Sequence, residues 1–182
     1  MNEAKKLNIM NPDNSRVIMK PSYSTISTEL SISCPRSVEE AYSIGIKLQY
    51  LIGDRYLKYA KASKVLKALA IKQLDRKTEI QKLANTNLDE KLAYFYNNGG
   101  PIIEPPVSER QAKEINGFFN RIVTNCLNQI DVIISKAVES NDSLKELEGE
   151  INRIMIRMLT DLANLYHDDE IRLAFKEMIR LL

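Results

Sequence analysis

The stretch SERQAKEINGFFNRIVTNCLNQIDVIISKAVE, residues 108–139, decides the fold class. Its first four residues, Ser108-Glu109-Arg110-Gln111, form a capping box: the Ser hydroxyl and the Gln amide each satisfy a backbone N–H that a first helical turn leaves unpaired. Behind the box Ile115, Phe118, Phe119, Ile122, Val123, Cys126, Leu127, Ile130, Ile133, Ile134, Ala137 and Val138 recur at helical spacing. They cover half the circumference or more, wider than a one-sided surface helix needs. At 1.5 Å per residue the helix is roughly 45 Å long, and it reads as the central helix of a bundle. The core is expected to centre on Phe118, Phe119, Ile122, Cys126, Ile130 and Ile133, packed by Leu66, Leu69, Ile151, Met158 and Leu162. The opposite face carries Asn120, Thr124, Asn125, Asn128, Gln129 and Ser135 where a solvated face usually carries Lys and Glu. Asn125 and Asn128 are therefore candidates for contact with a neighbouring chain.

The same reading extends in both directions. Downstream, Ser140-Asn141-Asp142-Ser143 breaks the pattern, and Leu144, Leu147, Ile151, Ile154, Met155, Met158, Leu162 and Leu165 restart it. A turn near His167-Asp168-Asp169-Glu170 precedes a short terminal helix carrying Ile171, Ala174, Phe175, Met178 and Ile179. Upstream, Asn97-Asn98-Gly99-Gly100-Pro101 and Pro105-Pro106 mark the main internal loop, and a short helix is expected over 88–96. Before it, a capping box at Ser37-Val38-Glu39-Glu40 opens a long amphipathic helix whose stripe includes Leu48, Leu51, Ile52, Tyr56, Tyr59, Leu66, Leu69, Ala70 and Leu74. Gly53-Asp54 is the place where that helix is expected to kink or divide, since Gly costs about 1 kcal/mol relative to Ala inside a helix.

Residues 1–36 differ in character, with Pro12, Pro21 and Pro35 among many Ser, Thr and Asn. Within them Ile26, Thr28, Leu30, Ile32 and Cys34 alternate with Ser27, Glu29, Ser31 and Ser33, which puts one apolar set on one face of a strand. Such a strand has three outlets. It pairs with residues 16–20 through Pro21 and Ser22 as a hairpin, it pairs with another chain, or it docks as an extended tail. Ile26, Leu30 and Ile32 are accordingly candidate partner-binding residues. The expected fold is mainly α: a helical bundle of about four to five helices over 37–182, with an N-terminal extended or β-hairpin arm over 1–36.

Of the 182 residues 44% are apolar and 27% charged, the balance of a folded chain. The longest uncharged stretch, residues 92–103, contains two Asn, two Gly and a Pro, which predicts no transmembrane segment. Lys5 and Lys6 precede too short an apolar run for a signal peptide. Cys34 and Cys126 lie in unlike segments and suggest reduced thiols, so the expected setting is cytoplasmic.

Any imidazole mechanism must pass through His167, the single histidine. The acidic residues after it are read as a helix start, where the positive end of the dipole favours them. None of the six glycines belongs to a phosphate loop or dinucleotide fingerprint. No catalytic, cofactor-binding or metal-binding residue is assigned, and the chain is not expected to be an enzyme.

Charge is uneven along the sequence. Residues 55–82 hold nine basic side chains against two acidic ones, although the whole chain carries only +2. Arg55, Lys58, Lys61, Lys64, Lys67, Lys72 and Arg76 could thus track phosphates of a nucleic acid from a basic helix, or be answered by carboxylates of the same bundle. Tyr56 and Tyr59 fall with the apolar stripe and are expected in the core. The function expected first is a non-enzymatic interaction or assembly protein, a homo-oligomer or the binder of a protein partner through its arm and helix faces. The alternative is a nucleic-acid-binding protein using residues 55–82.

Overall fold

The structure, a computed structural model, describes residues 32–61, 63–98, 105–140 and 144–182. They form five helices: α1 (Val38–Tyr59), α2 (Lys64–Asn98), α3 (Glu109–Ser140), α4 (Leu144–Asn164) and α5 (Asp169–Ile179). No strand occurs among the described residues. The expected strand and hairpin, with Ile26 and Leu30, lie outside them.

The capping box of α3 forms in full, and that of α1 in part. Ser108 Oγ accepts from the Gln111 backbone N–H at 3.3 Å while Gln111 Oε1 accepts from the Ser108 N–H at 3.0 Å. At α1, Ser37 Oγ accepts from the Glu40 N–H at 3.3 Å, but Glu40 reaches one residue further back, to the Arg36 N–H at 2.7 Å. The chain leading into α1 is pinned by that bond.

The expected division at Gly53 does not occur. α1 runs through it and ends at Tyr59, where the Ala60 N–H closes onto the Leu57 carbonyl. The chain restarts at Lys64, with Ser63 Oγ accepting from the Val65 N–H at 3.2 Å. Gly53 instead marks a close approach: a methyl placed there would meet Gln73 Cβ at 3.6 Å and the Ala70 carbonyl at 3.8 Å, both on α2. These are ordinary contacts in helical backbone. Gly53→Ala should therefore stabilise the protein by roughly 0.5–1 kcal/mol, seen as a higher melting temperature, and a lower one would mean that the helices are closer than described. Gly45 is different, because a methyl there would run into the Met178 sulfur of α5.

The expected short helix 88–96 is the last part of α2, which continues without a break. Asn85-Thr86-Asn87 does not end it because two of these polar side chains bond inside the helix. Thr86 Oγ1 donates to the Lys82 carbonyl, and Asn85 Oδ1 accepts from Gln81.

The central helix is α1, not α3. α1 packs against α2, α3 and α5, while α4 packs against α3 and α5. Its buried set, Val38, Ala41, Tyr42, Ile44, Gly45, Leu48, Gln49, Ile52, Gly53 and Tyr56, faces several neighbours, and the two glycines let α2 and α5 come close. Phe119, Cys126, Ile130, Leu66, Leu69, Ile151, Met158 and Leu162 are buried as expected, but Ile122 and Ile133 are only half-buried. Phe118 is 60% exposed. Adjacent helical residues point about 100° apart, so Phe119 takes the core position and turns Phe118 outward.

Ile32 and Cys34, assigned by sequence to the arm, belong to the core, and the compact unit runs Ile32–Leu182. The Cys34 N–H donates to Asn116 Oδ1 and its thiol to the Ala112 carbonyl, both at 3.1 Å. Arg36 and Val107 exchange a further pair of bonds. Ile32→Ala in the full chain should cost about 2–5 kcal/mol in denaturant titration. A stability equal to the parent's would mean that Ile32 serves a partner rather than its own core.

Candidate interaction surfaces

The basic segment is built by two helices, not one. Arg55, on α1, donates to the Leu51 carbonyl at 2.9 Å and pairs with Asp131 of α3 at 3.2 Å. Arg76, on α2, is 6% exposed, pairs with Glu148 of α4 at 3.4 Å and donates to the Leu182 carbonyl at 3.2 Å. Burial pulls its guanidinium below the usual value, and Glu148 opposes that shift. Lys72 pairs with the same carboxylate. Arg55, Lys72 and Arg76 are thus held by acidic residues of the bundle. Lys58, Lys61, Lys64 and Lys67 remain exposed around the α1–α2 reversal and make no ion pair among the described residues.

Away from that reversal, α1 and α2 also bury polar side chains. Tyr56 Oη, both amide atoms of Gln73, Gln49 Oε1 and Arg76 Nη1 are buried without a hydrogen-bond partner among the described residues. Unpaired buried polar atoms are uncommon and costly. Beside them, between α1 and α2, lies a groove of about 410 Å³ lined by Gln49, Tyr50, Gly53, Asp54, Leu57, Lys67, Ala70, Ile71 and Leu74. Tyr50, Leu57, Ile71 and Leu74 are each about half exposed. Lys77 donates to Tyr50 Oη at 2.8 Å and lies 4.7 Å from the ring centroid, holding the ring at the rim.

A second surface lies on α3. Asn125 and Asn128 are exposed, as are Gln129 and Val132. Beside them a groove of about 500 Å³ separates α3 from α4, bordered by Asn128, Gln129, Val132, Glu150, Arg153 and Arg157. Of the other sequence-assigned contact residues, Ile32 is buried in the core and does not join this surface, and Ile26 and Leu30 lie outside the described residues.

The acidic residues after His167 have structural roles. Asp168 caps α5 by accepting from the Ile171 N–H at 2.9 Å, Asp169 pairs with Arg172, and Glu170 pairs with Lys91, which also holds Glu39. His167 is exposed beside this helix start. Burial pushes the Cys126 thiol up to about 12, far from the range of a nucleophilic thiolate. Among the described residues no three His, Cys, Asp or Glu side chains converge as a metal site, and no helix is long and apolar enough to cross a membrane. The chain matches no protein-family model, no curated protein and no solved structure.

The α1–α2 groove was missed in the sequence. Its signal was present: Leu57 and Ile71 fall off the stripe that carries Ile52, Tyr56, Leu66 and Leu69. Only the reversal at residues 60–63 brings the two onto one face.

Proposed function

We propose that this chain is a non-enzymatic interaction and assembly protein whose helix faces contact other copies of itself or a protein partner. The observation that carries the reading is the outward placement of large apolar side chains on two surfaces. One is the α1–α2 groove with Tyr50, Leu57, Ile71 and Leu74, and the other is the α3 face with Phe118 and Val132. Exposed apolar side chains grouped around a groove, as Tyr50, Leu57, Ile71 and Leu74 are between α1 and α2, are what association sites present. Free, buried thiols at Cys34 and Cys126 fit a reducing, cytoplasmic setting. The reading is tested by light scattering of the full chain across a wide concentration range. A mass above 20.8 kDa that rises with concentration is expected. A strict monomer that also retains no protein partner refutes the reading.

One observation favours a second reading. Lys58, Lys61, Lys64 and Lys67 form an exposed basic edge without an ion pair among the described residues, and such an edge suits phosphate contacts along a nucleic acid. On that reading the protein binds labelled oligonucleotides at about 50 mM salt and loses most of its affinity by about 200 mM. Reversal of Lys58, Lys61 and Lys64 to Glu removes binding without lowering the melting temperature. Absence of binding at both salt concentrations eliminates it.

A further inference from the structure

We infer that α3 pairs with α3 of a second copy, antiparallel, about a two-fold axis at Asn125. The inference rests on the assembly reading and gives it a geometry. Phe118, Asn125 and Val132 recur every seven residues, a period that drifts only about 20° per repeat on a straight helix. They therefore form one line along the helix, and that line faces outward: Phe118 is 60% exposed, Val132 is 52% exposed, and Asn125 between them is exposed too.

The residues around Asn125 are complementary to their own reversed order. An antiparallel two-fold at Asn125 brings together residues equally far before and after it. Phe118 then meets Val132 of the second copy, twice, which gives an apolar contact on each side of the axis. Glu114 meets Lys136 of the second copy, also twice, and both are exposed on the same face. Asn125 meets itself, and its amide supplies both the donor and the acceptor that such a pair needs. Parallel pairing would set Glu114, Arg121 and Lys136 each against its own copy, so like charges discriminate against it. In the antiparallel arrangement Arg121 meets the uncharged Gln129.

Among the described residues nothing competes strongly for these groups. There Glu114 has only Arg110, with their side chains 65% and 91% exposed, and such surface pairs contribute little. Arg121 lies over the Phe118 ring at 6.0 Å and can move with it. The groove between α3 and α4, bordered by Val132 and Arg153, leaves room beside the line for side chains of the second helix. From Glu114 to Lys136 the contact would run about 33 Å along the helix.

Cysteine crosslinking in the full chain tests this geometry, with a short thiol-to-thiol crosslinker as the probe. The native thiols are buried, so the unmodified chain should give no dimer band. Asn125→Cys alone should shift most of the chain to a dimer band. Phe118→Cys mixed with Val132→Cys should crosslink to each other, whereas each alone should not. Self-crosslinking of both Phe118→Cys and Val132→Cys would mean parallel pairing and overturn the proposal. A dimeric mass without crosslinking at Asn125 overturns this geometry while leaving self-association intact, and a monomeric mass that stays constant with concentration removes both.

Discussion

Ile130→Asp should abolish cooperative folding. Ile130 is 0% exposed, and it lies on the buried stripe of α3 with Cys126, Leu127 and Ile134. An aspartate there must either stay ionised in apolar surroundings without a partner or take up a proton, and both options cost several kcal/mol. Against a total stability of about 5–15 kcal/mol that loss unfolds the bundle or leaves it barely folded. Thermal melting followed by circular dichroism is the measurement. The control is Val132→Asp, two residues along the same helix but half exposed, which should melt as the parent does at a concentration where all the proteins are monomeric, so that no dimer contact adds to the parent's stability. Equal melting of all three proteins would contradict the orientation given to α3, and with it both the core and the outward face.

Glu148→Ala should be the most damaging change away from the apolar core, by about 3–5 kcal/mol. Glu148 is the carboxylate shared by Arg76 and Lys72. Lys72 is half exposed and can turn to water, but Arg76 is buried and would keep, among the described residues, only the main-chain oxygen of Leu182. The penalty is that of a guanidinium left buried without its counter-charge, not the net worth of the pair. This distinction is testable. Arg76→Met combined with Glu148→Leu removes both charges, and the double variant should recover most of the stability lost in Glu148→Ala. If the double variant is as unstable as the single one in urea titration, the loss comes from packing and not from an unpaired charge.

Helices and their starts were legible in the sequence because they depend on local chemistry. Ser37 and Ser108 cap as their four-residue patterns indicate, and α3 ends at Ser140, one residue beyond the expected end. What escaped depended on partners far along the chain. Ser63 carries no box pattern, so the reversal between α1 and α2 left only a faint trace, and the more conspicuous Gly53 drew the break instead. Gly53 answers to Ala70 and Gln73 across the interface, which no local reading can supply. Phe118 and Phe119 are equivalent in a hydrophobic pattern, and only packing decides which enters the core.

The candidate surfaces divide in the same way. Asn125 and Asn128 stand on an exposed face, as the uncharged pattern of α3 indicated, because that pattern is periodic within one helix. Charge was legible as an excess over 55–82, but its use was not. Asp131 and Glu148, the carboxylates that hold Arg55, Lys72 and Arg76, come from α3 and α4, more than seventy positions downstream. The α1–α2 groove needs residues from both sides of the reversal, so its apolar members look unrelated until the chain turns back.

The most direct test of self-association through α3 is the concentration-dependent molar mass of two proteins in parallel, the unmodified chain and a variant carrying Phe118→Lys and Val132→Lys. Sedimentation equilibrium should give a species of twice 20.8 kDa for the first and a monomer for the second, with equal melting temperatures at a concentration where both are monomeric. The same mass for both proteins, monomeric or dimeric, would contradict the account.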